Sequence, residues 1–378
     1  MSAGYISKRR LVEQLACCTV NPLPTIKLRL AFSHRILPMA TKFCHQNGAI
    51  ATFFRWLVAA SILANHPVSC SNNAIPIIGI LSQPLVNSSA SYIAASYVKW
   101  LEVGGATSIA IPFDASTDTV KEILSQVDGV LFPGGGAPVP QAAKDIWRLL
   151  KDEYYPRGDM VPLWGTCLGM EFIVQLATNS FEENGILESG FNATNISLPL
   201  LNVERVGLYE SDHIYDSVVY HDITMNNHHL GISPKRFRDT DSLSRHWRVT
   251  STNVDLNGKP FVSTMEPVDK NNNPIYGVQF HPEKNAFEYG FHPNTTTPYE
   301  AINHSPQAIL LSIHLAGFFV SMAKENTQKA LAPYRNKYRL RRTSIENSED
   351  PVHLPRVYEY PRRVGNKFED VRGPLNSR

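Results

Sequence analysis

The chain has 378 residues, 43% of them hydrophobic and 19% charged. That balance supports one or two folded domains and excludes fibrous, collagen-like and wholly disordered chains. The 36 basic and 34 acidic residues leave a net charge of +2, so no global attraction draws the chain to nucleic acid or anionic lipid. Five cysteines (Cys17, Cys18, Cys44, Cys70 and Cys167) are too sparse, and odd in number, for a disulfide scaffold.

Residues 1–38 read as a basic extension upstream of the first plausible start, Met39; up to residue 48 the only acid is Glu13. The apolar run Trp56–Ala64 is shorter than the ~20 residues a membrane span requires. It follows Lys42 and Arg55 and precedes the small residues near Cys70, the layout of a secretory signal peptide over 39–70. An organellar transit segment or a signal anchor is the alternative. The stretch 334–378 is basic, holds several prolines and has no apolar period, so a disordered or solvated tail is expected. It lacks the aromatic interleaving of a nucleic-acid binder.

Residues 74–328 read as one domain of alternating strands and helices. Ile75–Leu81 is a β-branched run suited to a strand buried on both faces. Ser91–Val103 has helical spacing and stops at Gly104-Gly105. Ser108–Phe113 is a second strand, Thr117–Val127 a helix, and Gly129–Pro133 a third strand running into Gly134-Gly135-Gly136. Ala143–Tyr154 is a helix, Val161–Thr166 a fourth strand, and a helix opens at once from Leu168 to Ala177. Such repeated units predict a mostly parallel sheet with helices on both faces. Further on, Trp247–Val254 and Pro260–Met265 flank Asn257-Gly258, a hairpin with a type I′ turn. Ile275–Phe280 is another strand, and Ser305–Ala323 an apolar helix that should pack on the sheet.

Three motifs can carry chemistry. In Trp164-Gly165-Thr166-Cys167-Leu168-Gly169 a strand turns directly into a helix at a cysteine. That is a nucleophile elbow with sulfur in place of hydroxyl. The helix N-terminus favours the thiolate, and the Leu168 N–H can receive a developing oxyanion. A buried structural cysteine is the competing reading. His281-Pro282-Glu283 ends a strand, where open α/β sheets gather their sites. His281 can serve as the base, and Glu283, two residues on, can orient its ring; a surface turn is the alternative. The glycines after Phe132-Pro133 match no nucleotide loop, so Gly134 and Gly135 are read as a second oxyanion donor. His221, His228 and His229 lack zinc-ligand spacing with other donors, so no metal is expected. Tyr92, Tyr97 and Trp100 read as core aromatics.

These segments together, with Tyr92–Val98 and Tyr276–Lys284, resemble the gamma-glutamyl hydrolase family of folate polyglutamate hydrolases, a branch of the class I glutamine amidotransferase-like superfamily. The likeness runs in order over about residues 75–326. It implies a flavodoxin-like three-layer sandwich. It also implies a thiol peptidase that cleaves gamma-linked glutamates from folylpoly-gamma-glutamates, with no cofactor. Cys167 would then be the nucleophile, His281 the base, Glu283 the third triad member and His228 a further histidine near the scissile bond. The family works outside the cell or in lysosomes and vacuoles, consistent with a secretory route and with sequons at Asn87, Asn192, Asn195, Asn294 and Asn303. No nucleic acid and no stable membrane span are expected, and a homodimer is allowed. A glutaminase that feeds ammonia to a synthase, a hydrolase of other gamma-glutamyl amides, and a non-catalytic binding module are the alternatives.

Overall fold

The computed structural model describes residues 75–85, 91–182 and 185–326, with backbone strands at 357–360, 363–364 and 367–368. The chain divides into two units, Met1–Asn72 and Asn73–Arg378, and all described residues lie in the second. The basic extension, the signal-like segment and Asn87 fall outside the described residues.

A seven-stranded sheet organises this unit. Its strands are β1 (Ile77–Leu81), β4 (Thr107–Ile111), β5 (Gly129–Phe132), β6 (Leu163–Thr166), β9 (Trp247–Val254), β10 (Pro260–Pro267) and β11 (Ile275–Val278). The order is β4-β1-β5-β6-β11-β10-β9. The first five run parallel; β10 and β9 join antiparallel. The parallel strands are almost wholly buried, which is why they read as continuous apolar runs without alternation.

Helices cover both faces. On one, α2 (Thr117–Leu124), α3 (Gln141–Leu149) and α4 (Leu168–Thr178) close a core around Val130, Phe132 and Phe172. On the other, α1 (Ala95–Val103) and α9 (Pro306–Asn326) close a second core around Trp100, Trp164 and Phe319. The Trp100 and Trp164 rings sit 5.5 Å apart, and Trp164 is fully buried. Burying such a side chain contributes about 2–3 kcal/mol. Helix α9 is long and apolar enough to cross a membrane, but its Leu315 and Phe319 stripe is spent on the sheet.

Four local expectations change. The segment read as one helix from Ser91 opens as strand β3 (Ser91–Ala94), paired with the short β2 (Gln83–Pro84), and only then becomes α1. The β9–β10 connection is the five-residue stretch 255–259, not a type I′ turn. Gly258 alone takes positive φ (+79°), and Asp255 accepts from the Asn257 and Lys259 N–H groups through its side chain. That bonding fixes a turn with a bulge at the glycine. Between the halves of the pattern a second hairpin appears, β7 (Ala193–Leu198) with β8 (Thr224–His228), enclosing α5 (Asp212–Tyr220). Within the stretch expected to lack structure, β12 (Val357–Tyr360) pairs antiparallel with β3.

Candidate active site

β6 stops at Thr166 and α4 starts at Leu168. Cys167 between them has φ 52° and ψ −111°, a conformation that residues with a Cβ rarely adopt. Holding it costs on the order of 1–3 kcal/mol. Two hydrogen bonds do so: the Cys167 N–H donates to the Val278 carbonyl at 2.8 Å, and the Cys167 carbonyl accepts from the Glu171 N–H at 3.0 Å. The turn needs glycine behind it. A Cβ on Gly169 would lie 2.0 Å from the Phe132 carbonyl oxygen. The thiol therefore stands at the carboxyl edge of the sheet, on the N-terminus of α4.

β11 runs parallel to β6 with Val278 opposite Thr166, so the residues beyond both strands meet. The His281 N–H donates to the Met225 carbonyl at 2.8 Å, which turns the ring toward the elbow. Nδ1 and Glu283 Oε1 are 2.8 Å apart, and the Cys167 sulfur is a hydrogen-bond partner of the same ring. Burial opposes a charged imidazole. The Glu283 carboxylate, followed by Cys167, outweighs burial and pushes His281 up to about 10. The ring is thus an imidazolium at neutral pH.

The loop after β5 packs over this pair. A Cβ on Gly134 would lie 2.6 Å from His281 Cε1 and 3.5 Å from Cys167 Cβ. The Gly134 N–H, however, donates to the Tyr97 hydroxyl at 2.7 Å. Gly134 is therefore already engaged, which corrects its reading as an oxyanion donor. Gly135 and the first-turn N–H of Leu168, which no carbonyl within α4 can accept, are left for that role.

Cys167 opens on two lobes of a cleft, about 410 and 490 Å³. Tyr92, Gly135, His281 and Glu288 line the first, and Leu168, Glu171 and His228 the second; His229 borders both. His228 ends β8. Its Nδ1 pairs with the Leu230 carbonyl at 2.7 Å, and Phe261 meets the ring edge-on at 4.7 Å. Burial lowers it to about 4, so it is neutral, and its Nε2 has no partner among the described residues. His221 lies apart, exposed at the end of α5.

Sequence reasoning passed over several groups here. Tyr97 is core through its ring but active-site through its hydroxyl. Glu171, pushed up to about 7 by burial, accepts from Gln279 Nε2 at 3.0 Å. Its place four residues after Cys167, on one helix face, was the available signal. Lys284 is buried between Glu288, at 3.0 Å, and Glu300. Of the sequon asparagines, Asn192, Asn195 and Asn294 are exposed. Asn303 is half-buried, with Nδ2 donating to the Asp222 carbonyl at 2.7 Å.

The family model "Glutamine amidotransferase class-I" matches residues 85–296, which hold most of the sheet and the elbow cysteine. Among relatives, gamma-glutamyl hydrolase B of Dictyostelium discoideum is 34% identical over 293 residues, 73% of this chain and 80% of that one. Gamma-glutamyl hydrolase of Mus musculus is 34% identical, covering 67% of this chain and 78% of that one. The Homo sapiens enzyme of the same name is 32% identical, covering 66% and 78%. The chain belongs to the gamma-glutamyl hydrolase family within that class.

Proposed function

We propose that the protein hydrolyses gamma-glutamyl amide bonds of folylpoly-gamma-glutamates through a thioester on Cys167. The observation that carries this reading is a thiol at a strained strand–helix corner, hydrogen-bonded to a buried imidazole that is itself anchored by a carboxylate. The sulfur attacks the gamma-carbonyl carbon. The carbonyl oxygen takes the negative charge and is met by the N–H groups of Leu168 and Gly135. Collapse breaks the C–N bond while the His281 imidazolium gives its proton to the departing amine. His281, now neutral, takes a proton from water as that water attacks the thioester, and the thiolate–imidazolium pair returns. Glu283 keeps Nδ1 protonated and the ring aimed throughout. Neutral His228 lines the second lobe and meets substrate there, near the scissile bond.

We place the protein in the secretory pathway, on the signal-like segment 39–70 and the exposed sequons at Asn192, Asn195 and Asn294. The test is incubation of purified protein with pteroyltriglutamate, with products read by mass and glutamine as a control. Release of glutamate with pteroyl products shortened by whole glutamates supports the reading. Ammonia from glutamine without such products rejects it.

A further inference from the structure

Tyr97 lies on α1 and is only 4% exposed. Its oxygen accepts the Gly134 N–H at 2.7 Å. A Cβ on Gly134 would lie 3.0 Å from that oxygen, 2.6 Å from the His281 ring and 3.5 Å from Cys167 Cβ. The hydroxyl therefore shares one small space with the nucleophile and the imidazole. A hydroxyl that accepts one bond still has a proton to place, and a buried donor left unplaced is costly.

The complementary gap is on Glu283. Its Oε1 is committed to His281, while Oε2 is buried and has no partner at hydrogen-bond distance among the described residues. Tyr97 is near enough to feel the charges of both Glu283 and Cys167. Burial first, and then the Glu283 charge, holds the phenol well above its ordinary range, so it keeps its proton. Among the described residues, His281, Tyr97 and Lys284 face Glu283. Lys284 is already divided between Glu288 and Glu300. The neutral Tyr97 hydroxyl, already a side-chain partner of Glu283, thus faces a buried carboxylate oxygen that no other described group meets at hydrogen-bond distance.

We infer that Tyr97 is a positioning residue for the reaction: its O–H turns to Glu283 Oε2 while its oxygen holds the Gly134 N–H, tying the glycine loop to the His281–Glu283 pair. This rests on the thiol-hydrolase reading but concerns a side chain that touches no reacting atom. Removing the hydroxyl leaves Glu283 Oε2 without that donor, so the carboxylate is held less firmly and supports the His281 ring and its charge less well.

The test is a double-mutant cycle on the full chain with pteroyltriglutamate, plus the pH profile of Cys167 alkylation by iodoacetamide. Tyr97→Phe should lower kcat about 10- to 100-fold, the range for a hydrogen bond to a charged group, with KM changed less than about threefold. In a Glu283→Gln background the same substitution should cost less than about threefold. The acid limb of alkylation should move up by about one pH unit, whereas 3-fluorotyrosine in place of Tyr97, a stronger donor on the same ring, should move it down. Equal losses in both backgrounds, or an alkylation limb that neither change moves, overturn the inference and leave the hydrolase reading standing. A wild-type protein inert toward pteroyltriglutamate removes that reading instead, and alkylation still decides whether Tyr97 acts on the pair.

Discussion

Glu283→Gln keeps the shape of the side chain beside His281 and removes its charge. His281 stands at about 10 against an ordinary 6.5, roughly 5 kcal/mol in favour of the imidazolium after burial has taken its share. The Glu283 charge is the largest single support, with Cys167 next. Losing the carboxylate should therefore give back a large part of it, roughly 2–3 kcal/mol, or about two pH units. The assay is kcat/KM for pteroyltriglutamate from about pH 5 to 10. The alkaline limb, which follows loss of the imidazolium, should fall from near 10 to near 8 or below. Stability gives a second reading with a defined sign. Because the folded value lies above the unfolded one, the pair stabilises fully below about 6.5, and that contribution is lost as pH rises through about 10. The Tm gap between wild type and variant should be widest below pH 6.5 and nearly closed by pH 10. An alkaline limb that stays at its wild-type position, with a Tm gap flat in pH, would refute the electrostatic account of His281.

Gly169→Ala places a methyl group 2.0 Å from the Phe132 carbonyl oxygen, so α4 must move off β5; a loss of about 3 kcal/mol and a Tm lower by roughly 5–10 °C are expected by calorimetry. Gly134→Ala drives a methyl group to 2.6 Å from the His281 ring, and kcat should fall about 100-fold or more while the folded circular-dichroism spectrum is kept. His228, held near 4 by burial, should show no imidazole titration by NMR between about pH 5 and 8, and a midpoint near 6.5 would contradict its burial as a neutral ring. The same group makes stability fall as pH drops from about 6.5 toward 4, because the unfolded chain takes the proton first.

The parallel half of the sheet was legible because its strands are buried on both faces and its helices are amphipathic, as in Val120, Ile123 and Leu124 of α2. The elbow was legible because Cys167 alone separates a strand from a helix, with Gly165 near the end of the one and Gly169 in the first turn of the other. What escaped depends on contacts between distant segments. Ser91–Ala94 has helical spacing, yet its backbone pairs with β2 and β12. The Asn257-Gly258 pair signals a tight turn, yet the Asp255 carboxylate captures the loop. Tyr97 carries an aromatic pattern that suits a core. Only the fold brings its hydroxyl to Gly134, 37 residues away.

The most direct measurement is turnover of pteroyltriglutamate by Cys167→Ala against wild type, with the folded state of both verified by circular dichroism. Loss of about 10⁴-fold or more in kcat is predicted, since without the sulfur no thioester can form. A variant that keeps a tenth of the wild-type rate would contradict the assignment of the nucleophile.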